Sequence, residues 1–377
     1  MRALELRDER RVSFFMPDRF TNFLTTWTRP EWVLHRGHFE DRLAVYMGWE
    51  APLTLEHAGV IFRNGSREQP LHPHGWNLEC ARMPGQDWRV QHDAIEQPIF
   101  EDTINSGIEG VRGPRRIFNQ VIPPAQLNAD LEIDERTGRP RRAQRLAIVP
   151  DARYWRRDGR RGDRGAGDEH DGALRSVLID HKTLHYSTST YTDAHLRAVS
   201  AARGQRRRRG RSAVEARAAQ VNSDYIRHAQ ELDRTISGIT VEQQREGGVR
   251  GPVEQRLREL GVVEGWVTGS FNEASPEIHT HLSLVATQIS RNWRYLGCRS
   301  QKECRGKVSS FLYRKWGAAI ANSNAALRVR RIESLGVRGQ GARAWGNGGD
   351  PAGFIGGVAA LDDLRVDVGG GHGPGFL

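Results

Sequence analysis

Apolar residues recur at three- and four-residue steps through Val214, Ala218, Val221, Tyr225, Ala229 and Leu232. That spacing places them on one helical face and predicts a long helix over Ser212–Arg234. A different pattern marks Arg175–Tyr186 (RSVLIDHKTLHY), where a short β-branched run predicts the best strand in the chain. Arg145–Asp151 (RLAIVPD) and Val262–Phe271 are also of strand type, and Ile108–Phe118 reads as a strand followed by a turn. A first clear helix is expected over His92–Ser106, where Ile95, Ile99 and Ile104 sit near helical spacing and Gly107 closes it. Further helices are expected at Pro252–Leu260, at Ser275–Trp293 with Ser275 as N-cap and Pro276 in the first turn, and at Gln301–Ile332.

The order from 92 to 293 is therefore helix, three strands, helix, strand, helix, which implies an α/β domain with a covered sheet. The expected division is a poorly defined N-terminal region at 1–91, one α/β domain at 92–335, and a disordered Gly-rich tail at 336–377. Within 1–91, residues 57–91 are rich in His, Pro and Gly and read as loop. The aromatic residues Phe14, Phe15, Trp27, Trp32 and Trp49 have too little periodicity to assign. Residues 153–171 have little to bury and read as a surface loop or an extended hairpin tip.

Charge changes the picture next. The chain has 377 residues and a net charge of +10, which suits a polyanionic partner such as nucleic acid. The densest run is Arg203, Arg206, Arg207, Arg208, Arg209 and Arg211, expected to hold a phosphate backbone without sequence preference. Only Lys182, Lys302, Lys307 and Lys315 are lysines, so the arginine excess reads equally as a drift of genome composition. The three cysteines, Cys80, Cys298 and Cys304, do not make a secreted disulfide framework. No stretch reaches the roughly 18 apolar residues of a membrane span, and Met1–Arg11 lacks the apolar core of a signal peptide. The expectation is an intracellular protein with no membrane partner, located in the nucleus if it acts on DNA.

The candidate chemistry lies on two strands. Asp180 and Lys182 share one strand face and His181 points away, because strand side chains alternate. Asp151, expected to end the adjacent strand, would bring a second carboxylate beside Asp180. Two carboxylates make a hard-oxygen site suited to Mg²⁺ or Mn²⁺. Lys182 would orient a water and offset charge on the phosphorane. Two acids and an amine in one pocket are expected to favour each other's charged forms. The signal is short: with 46 acidic residues and four lysines, an acid-x-Lys triplet arises by chance about 0.5 times. An ordinary Asp–Lys pair at a strand edge is the plain alternative.

This element order, with Pro150-Asp151 and Asp180-His181-Lys182, resembles the PD-(D/E)XK nuclease superfamily. The resemblance implies a restriction-endonuclease-like core of helix, three strands, helix and strand, with extra C-terminal helices. It implies catalysis by Asp151, Asp180 and Lys182, with Asp151 and Asp180 as metal ligands and Glu96 or Glu101 of the first helix as an additional acid. Solvated helix carboxylates are the commoner reading of those two glutamates. Over about 100–150 residues the pattern is closest to the endonuclease tail of retrotransposon polyproteins, where a Cys/His knuckle precedes an Arg-His-Asn or Arg-His-Asp helix start. Here His74, Cys80 and Gln91-His92-Asp93 stand in those places. The family's Cys-x-x-Cys pair is absent, and His72, His74, Cys80 and His92 would close a zinc site only with an unusual spacing, so structural zinc is not expected. No reverse-transcriptase Asp-Asp motif is present either.

The expected function is thus a metal-dependent DNA endonuclease of mobile-element origin. Its main alternative is a non-catalytic nucleic-acid-binding relic of the same fold. A protein-interaction module whose basic character is incidental is a third. His185 is expected to be structural, Ser187–Tyr191 to be a polar turn with hydroxyls in reach of phosphate, and Cys298 and Cys304 to be lone thiols.

Overall fold

A computed structural model describes residues 20, 36–47, 49–81, 87–114, 117–118, 120–122, 150–157, 174–185 and 212–336. In chain order the elements are α1 (Arg36–Met47), α2 (Pro52–Glu56), β1 (Ile61–Asn64), β2 (Arg67–Pro70), α3 (Trp76–Glu79), α4 (Asp87–Asn105), β3 (Gly110–Arg112), β4 (Ala152–Arg157), β5 (Leu174–Leu184), α5 (Ala213–Ser237), α6 (Val241–Arg245), α7 (Pro252–Leu260), β6 (Val263–Gly269), α8 (Pro276–Ser290) and α9 (Gln301–Gly336). The protein is of mixed α/β class. It forms two compact units, one of residues 1–18 and 108–279 and one of residues 19–107 and 280–377.

The first unit is built on a four-stranded sheet ordered β3-β4-β5-β6. β3, β4 and β5 are antiparallel in turn, whereas β5 and β6 run parallel, with Asp180 opposite Gly265. A parallel pair needs a crossover, and α5, α6 and α7 supply it. α5 starts on a capping box in which the Ser212 hydroxyl accepts from the Glu215 amide while the Glu215 side chain accepts from the Ser212 amide. Its apolar face joins Leu178, Val263 and the buried side of α7 in one core (Val221, Leu232, Leu257). Gly265 sets how close α5 lies to the sheet: a Cβ there would come within 2.7 Å of Val221 and 2.8 Å of the Ala218 carbonyl. Tyr154 and Trp266 stack on each other at 5.7 Å between centroids.

The second unit pairs α4 with the long α9. Gln91 donates to Asn324 at 2.7 Å, and the Ser323 hydroxyl donates to the Gln91 carbonyl at 2.8 Å. Arg328 is buried and paired with Glu79 and Asp41, so burial of the guanidinium is offset by two carboxylates. The hairpin β1–β2 turns through Gly65, which adopts a positive φ of 62°.

Several sequence expectations need correction. Residues 57–91 are not loop throughout: they hold the hairpin β1–β2, the short α3 and the start of α4. The stretch 92–335 is not one compact domain, because the buried side of α4 is taken up by α9, and those two helices belong to the second unit. By contrast, Ile108–Phe118 holds a strand followed by a turn as expected, with β3 at Gly110–Arg112 and turn residues at 117–118. Residues 145–149 lie outside the described residues, and β4 begins just after Asp151 rather than ending on it. Ser275 does not spend its hydroxyl on the helix start. It accepts from the Val267 amide and donates to the Gly265 carbonyl, each at 3.2 Å, and so ties the chain before α8 to β6. The stretch 153–171 is not loop from its start, because residues 153–157 belong to β4, and Gly336, expected to open the tail, ends α9. Residues 158–171 and 337–377 lie outside the described residues.

Candidate functional site

The sheet brings the expected residues together in the first unit. Asp151 stands one residue before Ala152, which pairs with Ile179. Its backbone amide donates to the Ile179 carbonyl at 2.8 Å, and its carboxylate accepts the His181 amide at 2.5 Å. The side chain of Asp151 is thus anchored to the residue next to Asp180. Asp180 and Lys182 lie two apart on β5: the Lys182 ammonium reaches both carboxylate oxygens of Asp180, at 2.8 and 2.9 Å. His181 is buried.

A fourth group completes the cluster. Tyr225 on α5 donates its hydroxyl to Asp180 Oδ1 at 2.9 Å. The approach follows from Gly265, which stands opposite Asp180 on β6 and lets Val221, one helical turn before Tyr225, come down onto the sheet. Tyr225 looked from sequence like part of an apolar stripe. Its phenol gives it an apolar ring with a polar tip, and only the pairing of β5 with β6 reveals what that tip meets.

The electrostatics differ from the expectation that each member favours the others' charged forms. The Asp180 side chain is only 4% exposed. Burial raises its pKa above the ordinary carboxylate range, Lys182 pulls it down, and the nearby charge of Asp151 pushes it up again. Burial and the two aspartate charges likewise push the Tyr225 phenol up. The Lys182 side chain is 41% exposed, so the cluster opens to solvent on the lysine side. A buried acid with a raised pKa, a second acid beside it and a half-open cation is the combination that marks functional sites more often than chance.

The donor set is chemically suited to a hard divalent cation. It offers two carboxylates, and the repulsion that raises Asp180 is one a cation would relieve. Glu96 and Glu101 are both on α4, in the second unit. Glu101 accepts from the Gln97 side chain. Glu96 is buried, lies 3.9 Å from His92 Nδ1 and, with His92 and Asp93, forms the one group of three metal-capable side chains among the described residues. His72, His74 and Trp76 form a ring cluster, in which the Trp76 indole donates to His72 Nδ1. Cys80 is exposed. The arginine run Arg203, Arg206, Arg207, Arg208, Arg209 and Arg211 lies outside the described residues, as does Ser187–Tyr191.

Compared with known family models, curated proteins and solved structures, the chain gives no significant match. Among the described residues no helix is long and apolar enough to cross a membrane.

Proposed function

We propose that this chain is a metal-dependent phosphodiester hydrolase acting on nucleic acid, an endonuclease of restriction-enzyme-like plan. The observation that carries this reading is the meeting of Asp151, Asp180 and Lys182 beside the β4–β5 pairing, with Asp180 buried against its electrostatic preference. The order of the strands supports it too: three antiparallel strands, a crossover of α5, α6 and α7, and a fourth strand parallel to the third, although the helix α4 that precedes them belongs to the second unit. Asp151 and Asp180 would hold Mg²⁺ or Mn²⁺. When bound, the ion would polarise the scissile phosphate and acidify a water. Lys182, exposed on one side, is placed to position that water and to stabilise negative charge on the phosphate oxygens. Tyr225 keeps the Asp180 carboxylate fixed.

A second reading has its own observation. Asp180 Oδ1 accepts from both Lys182 and Tyr225, and Oδ2 lies 2.8 Å from the same ammonium without a hydrogen bond of its own, so a protein cation already answers much of this carboxylate's charge. That arrangement suits a nucleic-acid-binding relic whose catalytic site has closed on itself.

Nicking of supercoiled plasmid under matched Mg²⁺ separates the two. The hydrolase reading expects wild type to cut, Asp180→Asn to be inactive, and Lys182→Ala to be slower by roughly 10²–10³-fold. Wild type that binds DNA without cutting it supports the relic. Equal cutting by all three proteins removes Asp180 and Lys182 from the chemistry altogether.

A further inference from the structure

Away from the aspartate cluster, the connection from α8 into α9 carries an unusual surface. Residues 291–307 read RNWRYLGCRSQKECRGK and hold six cations, Arg291, Arg294, Arg299, Lys302, Arg305 and Lys307, against the single carboxylate of Glu303. All six cations are exposed. Glu303 is used locally: it accepts from the Arg299 amide at 2.9 Å and pairs with Lys307 at 2.7 Å. One carboxylate therefore offsets only one of the six charges. Two of the chain's four lysines fall in this short stretch, a concentration that a general replacement of lysine by arginine does not produce.

The same turn presents aromatic rings. Tyr295 is 92% exposed and thus contributes almost nothing to packing. Arg294 lies over the Trp293 ring, 5.2 Å from its centroid. The backbone beneath is held by consecutive turn bonds: Trp293 to the Ser290 carbonyl at 3.1 Å, Tyr295 to the Asn292 carbonyl at 3.0 Å and Cys298 to the Trp293 carbonyl at 3.1 Å. The ring of Tyr295 is thus displayed on a defined backbone. The positive end of the 36-residue α9 begins at Gln301 and adds to the same field.

We propose that residues 291–307 form a binding surface for single-stranded nucleic acid, with Tyr295 and the Trp293–Arg294 pair as a stacking platform and the surrounding cations as phosphate contacts. The physics selects the single strand. Unpaired bases offer their faces to an aromatic ring, whereas a duplex presents mainly phosphate to such a surface, and an exposed tyrosine gains little from phosphate. The shared chemistry is a phosphodiester backbone with unstacked bases, and either sugar can supply it. The proposal is independent of the hydrolase reading, because binding is measured without metal.

The test uses the full chain in EDTA and fluorescence anisotropy with labelled oligothymidylate, oligouridylate and a DNA duplex of matched length. Tyr295→Ala is expected to weaken binding to at least one single strand by roughly 5- to 100-fold, while duplex affinity stays the same and Tyr295→Phe keeps the wild-type affinity. Replacing Arg291, Arg294 and Arg299 together with serine should flatten the salt dependence on the single strand by about two units of logarithmic slope. Wild type that binds no single strand at low salt overturns the proposal. So does Tyr295→Ala with unchanged affinity for both single strands, or with an equal loss on duplex.

Discussion

Each unit of the protein contains an aspartate–lysine pair, and the two pairs do different work. In the second unit, Asp102 on α4 meets Lys315 of α9 at 2.7 Å, and Trp316 donates to its other oxygen at 2.7 Å. Both members are sealed in, at 1% and 8% exposure. In the first unit, Asp180 is as deeply buried, but Lys182 faces solvent and a second carboxylate stands nearby. Burial pushes both aspartates up in pKa. The difference is what answers the charge. Asp102 has a sealed cation and an indole, so it is a staple between two helices. Asp180 has a half-open cation and a like-charged neighbour, the arrangement on which the proposed cation site rests.

The largest consequence falls on the staple. Lys315→Met leaves Asp102 buried without its cation and is expected to lower stability by about 3–5 kcal/mol, read as the denaturant midpoint. Changing both to apolar residues of similar size should recover much of that loss, because a buried pair removed whole is often neutral. If Lys315→Met costs no more than Lys182→Met, the staple interpretation fails. Lys182→Met should cost less than Lys315→Met, since water reaches the pair on the side of the 41%-exposed lysine and screens what its charge contributes.

Tyr225→Phe comes next. It removes one hydrogen bond from a buried carboxylate, for about 1–3 kcal/mol, and frees Asp180 to move. Cleavage should slow while DNA affinity, measured in EDTA, stays unchanged; a fall in affinity with an unchanged cleavage rate would make Tyr225 part of the binding surface instead.

The smallest effect is a pH dependence. An acid whose pKa is raised in the fold takes up a proton on folding. Its contribution is therefore fully present below the ordinary carboxylate range and is lost as pH rises through the raised folded value. Asp180→Asn removes that loss, so in the absence of metal its melting temperature should equal or slightly exceed wild type at neutral pH, and the advantage should shrink on acidification. A variant less stable than wild type at neutral pH and level with it in acid would show that Lys182 outweighs both burial and Asp151.

The two pairs were unequally legible in the sequence. Asp180 and Lys182 are two residues apart, so strand parity alone places them together. Asp102 and Lys315 are separated by 213 positions, and nothing local in either helix announces the other. The same distance hid the division into two units, which depends on contacts such as Gln91 with Asn324. Local periodicity did well for the helices expected over Ser212–Arg234 and Pro252–Leu260, which the fold has as Ala213–Ser237 and Pro252–Leu260. Local signals failed at Ser275, whose hydroxyl is claimed by β6, and at Asp87–Gln91, where α4 starts a turn earlier than its isoleucines indicated. Tyr225 was invisible as a site residue because an aromatic in an apolar stripe has the same spacing whether or not its hydroxyl is used.

The central claim is that Asp151 and Asp180 act as one cation site, and Mn²⁺ titration by calorimetry tests it most directly. His92→Ala serves as the background, so that the group on α4 does not contribute. On that background the account predicts a binding isotherm that is lost in Asp180→Asn and in Asp151→Asn and is kept in Lys182→Ala, whose ammonium is not a ligand. An isotherm unchanged by either aspartate substitution, or absent before any substitution in the cluster, would contradict it.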